Sequence, residues 1–294
     1  MSDTQPVATA ARSSELKLRV ISAAVIAPVA LALTWWGGIP FSLMLFAGAL
    51  VMADEWITIV FGPAAGRAKL PLLALVGVAF AAAAFGGRVG LDHLTVVTVA
   101  VAALGLGAAL AMRAARLSGQ GETTTAWAPW GVFYAAVPCI ALDSLRGGPL
   151  GLWVILFLFA VVWSTDIAAY FTGRALGGPK LWPAVSPKKT WSGALGGLAA
   201  AVVAGVAVAH FAGAPRLLPV AAVAAVLSVA SQAGDLLESS LKRKFGVKDS
   251  GTIIPGHGGL LDRVDGLVAA AALAILIAAI HGSATRGTGG LLVW

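Results

Sequence analysis

Charge is the scarcest feature of this sequence. Only 11% of its 294 residues are Asp, Glu, Lys or Arg, whereas a soluble domain carries about 25%. Hydrophobic residues make up 59% of the chain, and the mean hydropathy is +0.90. A water-soluble fold cannot bury that much apolar surface, but a lipid bilayer can cover it. The composition therefore excludes an ordinary soluble protein and predicts a chain embedded in a membrane.

The near absence of cysteine and the placement of the basic residues exclude further kinds of site and partner. Because Cys139 is the single cysteine, neither a disulfide framework nor a cysteine-based metal site can form. The formal net charge is +7, but the Lys and Arg residues lie between apolar segments, where they set topology and attract anionic headgroups. We therefore predict membrane lipids, and no nucleic acid, as partners. The first apolar segment has no clear cleavage-site pattern and is predicted to be retained.

Long apolar segments recur along the chain. A membrane-spanning helix needs about 20 mostly apolar residues, and lipid cannot satisfy an open sheet edge, so the spans must be helical. We predict an all-α fold, a polytopic transmembrane bundle with a flexible cytoplasmic tail (1–14), N-terminal helices (15–149) and a C-terminal transmembrane region (150–294). The bundle has about nine predicted spans: 18–36, 41–60, 70–86, 91–112, 127–145, 150–171, 193–213, 217–238 and 264–281.

The basic residues are divided unevenly between the two sides of this bundle. If the N-terminus is cytoplasmic, sixteen Lys and Arg residues fall on the cytoplasmic side and four on the outer side. The positive-inside rule favours this orientation, with the C-terminus outside. We predict a multi-pass protein of a bacterial-type inner (cell) membrane. Its two long basic loops, 173–192 and 239–263, would both lie in the cytoplasm, and loops of that length are usually functional.

Acidic side chains stand in pairs at the ends of the last two spans. Asp235 and Glu238 are three residues apart, as are Asp262 and Asp265, and residues three apart share one helix face. Charged residues inside spans are costly and indicate function. Mg²⁺ takes such carboxylates together with substrate phosphates. Nearby Lys and Arg residues can neutralise phosphates, and the glycine-rich segment 256–259 can turn its N–H groups toward an anion. This set predicts phosphoryl or nucleotidyl transfer.

The segment Ser240–Asp265 carries the most specific pattern, S-L-K-R-x4-K-D-x-G-x2-I-P-G-H-G-G-L-x-D-R-x-D. It closely resembles the signature of the phosphatidate cytidylyltransferase (CDP-diacylglycerol synthase) family. Two upstream stretches, 166–174 and 186–191, resemble other polar stretches of that family, whereas residues 15–150 match only as generic spans. One position departs from the family: many members have Glu where this chain has Ser192.

The resemblance implies an activity and places it in the region 150–294. Phosphatidic acid would attack the α-phosphorus of CTP, giving CDP-diacylglycerol and pyrophosphate, with Mg²⁺ as cofactor. A second cation such as K⁺ and a homodimer are options. The implied metal ligands are Asp235, Asp262 and Asp166. The implied catalytic residues are Asp235, Asp262, Lys242, Arg243, Lys248, His257 and Arg263. The implied substrate-binding residues are Ser186, Lys188, Lys189, Glu238, Asp249, Gly256, Gly258, Gly259 and Asp265.

Other interpretations stay open at this point. A CTP-dependent lipid kinase, such as a polyprenol kinase, would transfer the γ-phosphate and release CDP. A secondary transporter would use Asp54, Glu55, Asp166 and Asp235 as an ion path, although it would not explain the 26-residue signature. The carboxylates could also be structural partners of nearby cations. Asp54 and Glu55 could lie at a lipid-headgroup site or reach the cytoplasmic end of their span.

Overall fold

A computed structural model describes residues 22, 24–119, 121–148, 150–285 and 288–294, with the backbone alone for residues 67, 282–285, 288 and 289. The predicted tail 1–14 lies outside the described residues. So do four of the basic residues in the charge count, namely Arg12, Lys17 and Arg19 of the predicted cytoplasmic side and Arg286 of the outer side.

Helices make up most of the described chain. They are α1 (Ala24–Trp36), α2 (Gly38–Phe61), α3 (Gly66–Phe85), α4 (His93–Leu117), α5 (Gly121–Trp127), α6 (Trp130–Arg146), α7 (Gly151–Leu176), α8 (Trp191–Phe211), α9 (Leu217–Lys244) and α10 (Leu261–Thr285). Short 3₁₀ segments lie at Gly62–Ala65, Gly86–Val89 and Thr288–Leu291. Two short strands, β1 (Lys180–Trp182) and β2 (Ser186–Thr190), form an antiparallel hairpin between α7 and α8.

The polytopic helical bundle predicted from the composition is confirmed. Within the described residues, eight helical segments are long and apolar enough to cross a membrane, and α5 and α6 together form one of them. They correspond to the second to ninth predicted spans. The first predicted span, 18–36, corresponds to α1, a shorter apolar helix, and its residues 18–21 and 23 lie outside the described part of the chain.

The two long loops are shorter than the sequence predicts, because the helices continue past the apolar segments. Helix α7 runs to Leu176, so Gly173 and Arg174 are helical rather than part of a loop. Helix α9 runs to Lys244, and its last turn holds three basic residues. Cations there are favoured by the negative end of the helix dipole. The connections are therefore residues 177–190 and 245–260, and the first of them contains the β-hairpin, an addition to the all-α prediction.

The core of the N-terminal half forms around α2. Trp56, Phe41 and Phe61 of this helix are fully buried, as is Phe80 of α3. The Trp56 indole N–H donates to the carbonyl of Trp127 at 3.2 Å. In the C-terminal half, α7 and α8 pack closely along a seam of small residues, as is common between membrane helices. Buried aromatic residues are therefore prominent in the core of the first half, and small residues line the seam between α7 and α8 in the second.

Two side-chain contacts identify the ends of the bundle. The Ser22 hydroxyl donates to the carbonyl of Pro255 at 2.9 Å, so the start of α1 lies beside the connection 245–260. At the opposite end, Arg146 Nε donates to the carbonyl of Thr34 at 2.8 Å, joining the end of α6 to the end of α1. We call the end that carries the connections 177–190 and 245–260 the loop end. The two connections share one end, as the predicted topology requires.

Candidate active site

Two glycines let α9 and α10 approach closely just below the loop end. A Cβ on Gly234 would lie 2.6 Å from the Asp265 carbonyl, and a Cβ on Gly266 would lie 2.4 Å from Ser231 Oγ. Larger residues at these two positions would therefore separate the helices. The neighbours of these glycines in sequence are Asp235 and Asp265, so the close contact brings the two carboxylates together.

One cluster of charged side chains is partly open, and we call it the open acid group. It consists of Asp166 on α7, Asp235 on α9, Asp265 on α10 and Lys189 on β2. Lys189 forms an ion pair with Asp235, and these two side chains are 28% and 29% exposed. Asp166 and Asp265 interact electrostatically with Asp235 and with Lys189. Lys189 thus pairs with one of three carboxyl groups that repel one another, and a bound cation would offset that repulsion.

A second cluster is more deeply buried, and we call it the bonded network. It consists of Glu55, Glu238, Lys242, Ser250 and Asp262. Asp262 Oδ2 accepts hydrogen bonds from Ser250 N at 2.8 Å, Ser250 Oγ at 2.9 Å and Gly259 N at 2.9 Å. Asp262 Oδ1 pairs with Lys242 Nζ at 2.6 Å. Both oxygens of this carboxylate therefore have protein partners.

Lys242 joins the two helices that carry the acids. Its ammonium also pairs with Glu238 Oε2 at 2.7 Å, and the Glu238 side chain is only 1% exposed. Buried charges are tolerated when they are paired and hydrogen-bonded. The other Glu238 oxygen has no hydrogen-bond partner among the described residues, and neither do the buried hydroxyls of Ser231 and Tyr134. Lys242 therefore binds two carboxylates at once rather than pointing freely into a cleft.

Glu55 and Ser250 belong to this network, although neither is among the site residues that the family resemblance implies. Glu55 on α2 accepts hydrogen bonds from Leu260 N and Leu261 N, both at 2.8 Å, and from Ser250 Oγ at 3.1 Å. Its neighbour Asp54 instead pairs with Lys69 near the surface at 2.6 Å. The cost of a charge in a span indicated a role for Glu55, but no local spacing connected it to the signature.

The glycine-rich segment forms a tight turn. Ile254 N donates to the carbonyl of Gly258 at 3.0 Å, and Gly256 and Gly258 have φ values of 74° and 84°, which favour glycine. Arg263 Nη2 and Nε donate to the carbonyl of His257 at 2.6 and 3.0 Å. The N–H groups of His257 and Gly259 are used within the protein. Anion binding by this turn stays a prediction. Gly256 and Gly258 are also needed for the turn itself, because their φ values are positive.

The remaining predicted residues surround these clusters at the loop end. Arg243, Lys248 and Asp249 are exposed, as is Lys188 on β2, and Ser186 on the same strand is half-buried. Successive strand residues point to opposite faces, so Lys189 turns toward Asp235 while Lys188 faces away from it. Ser192 donates to the carbonyl of Gly177 and lies 3.0 Å from the Thr190 hydroxyl. The hydroxyl of Ser192 therefore ties the start of α8 to the end of α7.

The described residues include no group of three or more His, Cys, Asp or Glu side chains that could hold a metal ion by itself. Mg²⁺, however, is usually bound by one or two carboxylates together with substrate phosphates and water. Asp166 and Asp235, beside the half-exposed Lys189, fit that mode of binding because they are open to a substrate. Asp262 is less available as a metal ligand, because Lys242 Nζ already pairs with its Oδ1.

Fold and site together define a class: a polytopic helical membrane protein with carboxylates and lysines gathered at one end of its helices, suited to phosphate chemistry. A comparison with protein families narrows the class. The profile of the cytidylyltransferase family matches residues 17–281, which is most of the chain. The chain therefore belongs to the cytidylyltransferase family.

Curated relatives agree with this assignment. A phosphatidate cytidylyltransferase of Brucella suis biovar 1 (strain 1330) is 48% identical over 268 residues, which cover 91% of this chain and 94% of that protein. One from Haemophilus influenzae is 45% identical over 144 residues, 47% of this chain and 50% of that protein. One from Staphylococcus aureus (strain COL) is 47% identical over 116 residues, 39% of this chain and 45% of that protein.

Proposed function

We propose that this protein transfers the cytidylyl group of CTP to phosphatidic acid, giving CDP-diacylglycerol and pyrophosphate in phospholipid biosynthesis. The observation that carries the proposal is the open acid group, in which Asp166, Asp235 and Asp265 converge from three helices on Lys189. The name of the Brucella relative, similar over nearly its whole length, supports the choice of substrates. A site at helix ends is accessible both to a water-soluble nucleotide and to a lipid headgroup.

The reaction forms one bond and breaks one. A phosphate oxygen of phosphatidic acid attacks the α-phosphorus of CTP, and the bond from that phosphorus to the oxygen bridging to the β-phosphate breaks. Pyrophosphate leaves with the electron pair. Because the nucleophile is already an anion, no strong general base is needed. The main barrier is the repulsion between two polyanions, which positioning and charge neutralisation overcome.

We propose that Asp235 and Asp166 hold Mg²⁺ and that Asp265 completes the acidic surroundings. When bound, Mg²⁺ supplies charge neutralisation at the substrate phosphates. Lys189 lies next to these acids and would bind a phosphate oxygen once a cation replaces it at Asp235.

Asp262 would contribute its Oδ1 if Lys242 turned from it to a substrate phosphate. Lys188, Arg243, Lys248 and Arg263 would attract the triphosphate from the loop end. A second cation and a homodimer stay predictions.

We propose that the loop end faces the cytoplasm of a bacterial-type inner membrane, where CTP is available. The distribution of sixteen basic residues on one side and four on the other supports this orientation. Reporter fusions after Leu176 and after Lys248 should both give a cytoplasmic signal. A periplasmic signal from either fusion would contradict this orientation and indicate the opposite one for the whole bundle.

The activity is tested with the full-length protein in detergent micelles containing phosphatidic acid, CTP and Mg²⁺. We expect CDP-diacylglycerol and pyrophosphate, no reaction with diacylglycerol in place of phosphatidic acid, and complete loss on chelation that added Mg²⁺ restores. Release of CDP instead of pyrophosphate would favour a lipid kinase. Full activity in chelator would rule out the proposed role of the acids.

A further inference from the structure

Glu55 lies on α2, in the half of the chain outside the signature, yet each of its hydrogen bonds described above goes to the signature segment. It is a buried carboxylate, 6% exposed, and it accepts from Leu260 N, Leu261 N and Ser250 Oγ. Leu261 begins α10 and Leu260 directly precedes it, and the first N–H groups of a helix have no partner within the helix. A negative charge at that end is also favoured by the helix dipole.

The backbone of the connection 245–260 packs directly against this carboxylate. A Cβ on Gly259 would lie 2.7 Å from Glu55 Oε1, and a Cβ on Gly251 would lie 3.0 Å from the same atom. Both distances are shorter than a side chain tolerates without displacement. Glu55 thus holds the connection at two places, near its middle and at its junction with α10.

One hydroxyl couples Glu55 to the signature aspartate. Ser250 Oγ lies 3.1 Å from Glu55 Oε2 and 2.9 Å from Asp262 Oδ2. A hydroxyl has one proton and donates to one of these carboxylates at a time. The position of Ser250 therefore depends on both acids, and a displacement of either one is transmitted to the other.

We propose that Glu55 is a positioning residue for the cytidylyl transfer. It holds the first turn of α10 and the connection before it, and through them it fixes the places of Asp262 and Asp265. This inference rests on the proposed function. It gives the N-terminal helices a part in the site, although the sequence signature lies entirely in the C-terminal region. Groups that orient ligand residues typically change metal affinity or activity by about 10–100-fold when they are removed.

The test compares Glu55→Gln with Asp54→Asn in the full-length protein in detergent micelles. Gln keeps the volume of Glu but turns one acceptor oxygen into an NH₂ group that faces a donor. Asp54→Asn is the matched control, because Asp54 is adjacent in sequence and pairs with Lys69 near the surface rather than with the signature segment. We expect Glu55→Gln to lower kcat/KM for CTP by about 10–100-fold and to raise the Mg²⁺ concentration for half-maximal rate. We expect Asp54→Asn to leave both unchanged.

A second readout does not depend on activity. Hydrogen exchange at the Leu260 and Leu261 amides, and tryptic cleavage after the exposed Lys248, should be faster in Glu55→Gln than in Asp54→Asn. If wild type is inactive, the proposed function fails while exchange still tests whether Glu55 holds the loop. Unchanged exchange, or a loss of rate with an unchanged Mg²⁺ dependence, would overturn the positioning role.

Glu55→Gln could also fail to fold, and Ser250→Ala then replaces it as the test. This variant removes only the shared hydroxyl and leaves both carboxylates in place. We expect a smaller change in the same direction, with faster exchange at Leu260 and a higher Mg²⁺ requirement. Wild-type exchange and Mg²⁺ dependence in Ser250→Ala would contradict the proposal.

Discussion

The two acidic clusters lie on neighbouring turns of α9 and α10, yet they are built in opposite ways. In the open acid group, the Asp235 side chain is 29% exposed and pairs with a half-exposed lysine. In the bonded network, Glu238 is 1% exposed, and Asp262 lies within hydrogen-bond distance of three donors besides its ion pair with Lys242. A group that binds substrate needs free hydrogen-bonding capacity, whereas a buried group that supports a loop, as Asp262 does, is stabilised by hydrogen bonds to its neighbours. One signature thus contains both kinds of residue.

The largest effect on activity is expected from the open acid group. Asp235→Asn keeps the size of the side chain but removes the charge that would bind a cation, so pyrophosphate release should fall by about 10³-fold, as for loss of one key electrostatic group. Stability should change by no more than about 1 kcal/mol, since the ion pair with Lys189 is partly exposed. Single-turnover kinetics and thermal unfolding in micelles measure the two effects. Wild-type turnover would remove Asp235 from the site.

Asp262→Asn should lower stability much more than Asp235→Asn does. The substitution leaves Lys242 and three donors facing an amide, and breaking a buried ion pair costs about 3–5 kcal/mol. We expect a clear fall in the midpoint of thermal unfolding together with a loss of activity. Asp235→Asn is the control. It also removes a carboxylate, on the facing helix and three residues from Glu238, but this carboxylate belongs to the open acid group. Equal stability of the two variants would contradict the distinction between the clusters.

Gly259→Ala tests how closely the bonded network is packed, without changing any charge. The new Cβ would lie 2.0 Å from Ser250 Oγ and 2.7 Å from Glu55 Oε1, and overpacking of this kind costs about 1–3 kcal/mol. Gly105→Ala on α4 is the matched control, since a Cβ there would meet no described atom outside its own helix backbone and chain neighbours within 4 Å. Thermal unfolding should distinguish the two variants. Equal midpoints would show that the connection adapts freely around Ser250.

The smallest effect is expected at Ser192, where many members of the family have Glu. Its hydroxyl bonds the Gly177 carbonyl and the Thr190 hydroxyl, so Ser192→Ala should cost about 1 kcal/mol of stability. Pyrophosphate release should stay at the wild-type order of magnitude, because a neutral hydroxyl cannot act as a carboxylate ligand. A loss as deep as that of Asp235→Asn would assign Ser192 to the open acid group.

Several parts of the site could be predicted because they depend on residues close in sequence. Spacings of three residues placed Asp235 with Glu238 and Asp262 with Asp265, and the helices α9 and α10 confirm that each pair lies within one helix or at its start. The limits of the loops were wrong by several residues. Hydropathy falls where a helix leaves the membrane, but the helix itself continues, because its backbone groups remain paired in water.

By itself, the sequence determined that the chain is a polytopic helical membrane protein and, through the signature, the family to which it belongs. These properties depend on composition, segment length and short-range pattern. Only the tertiary structure decided which acids stay open and which are bonded. The decisive contacts join Glu55 to Ser250, Leu260 and Leu261 across 195, 205 and 206 positions. No local pattern encodes such contacts, because they form only when α2 packs beside the start of α10. The carboxylate and the N–H groups that are buried there then bond to each other, because buried polar groups need hydrogen-bond partners.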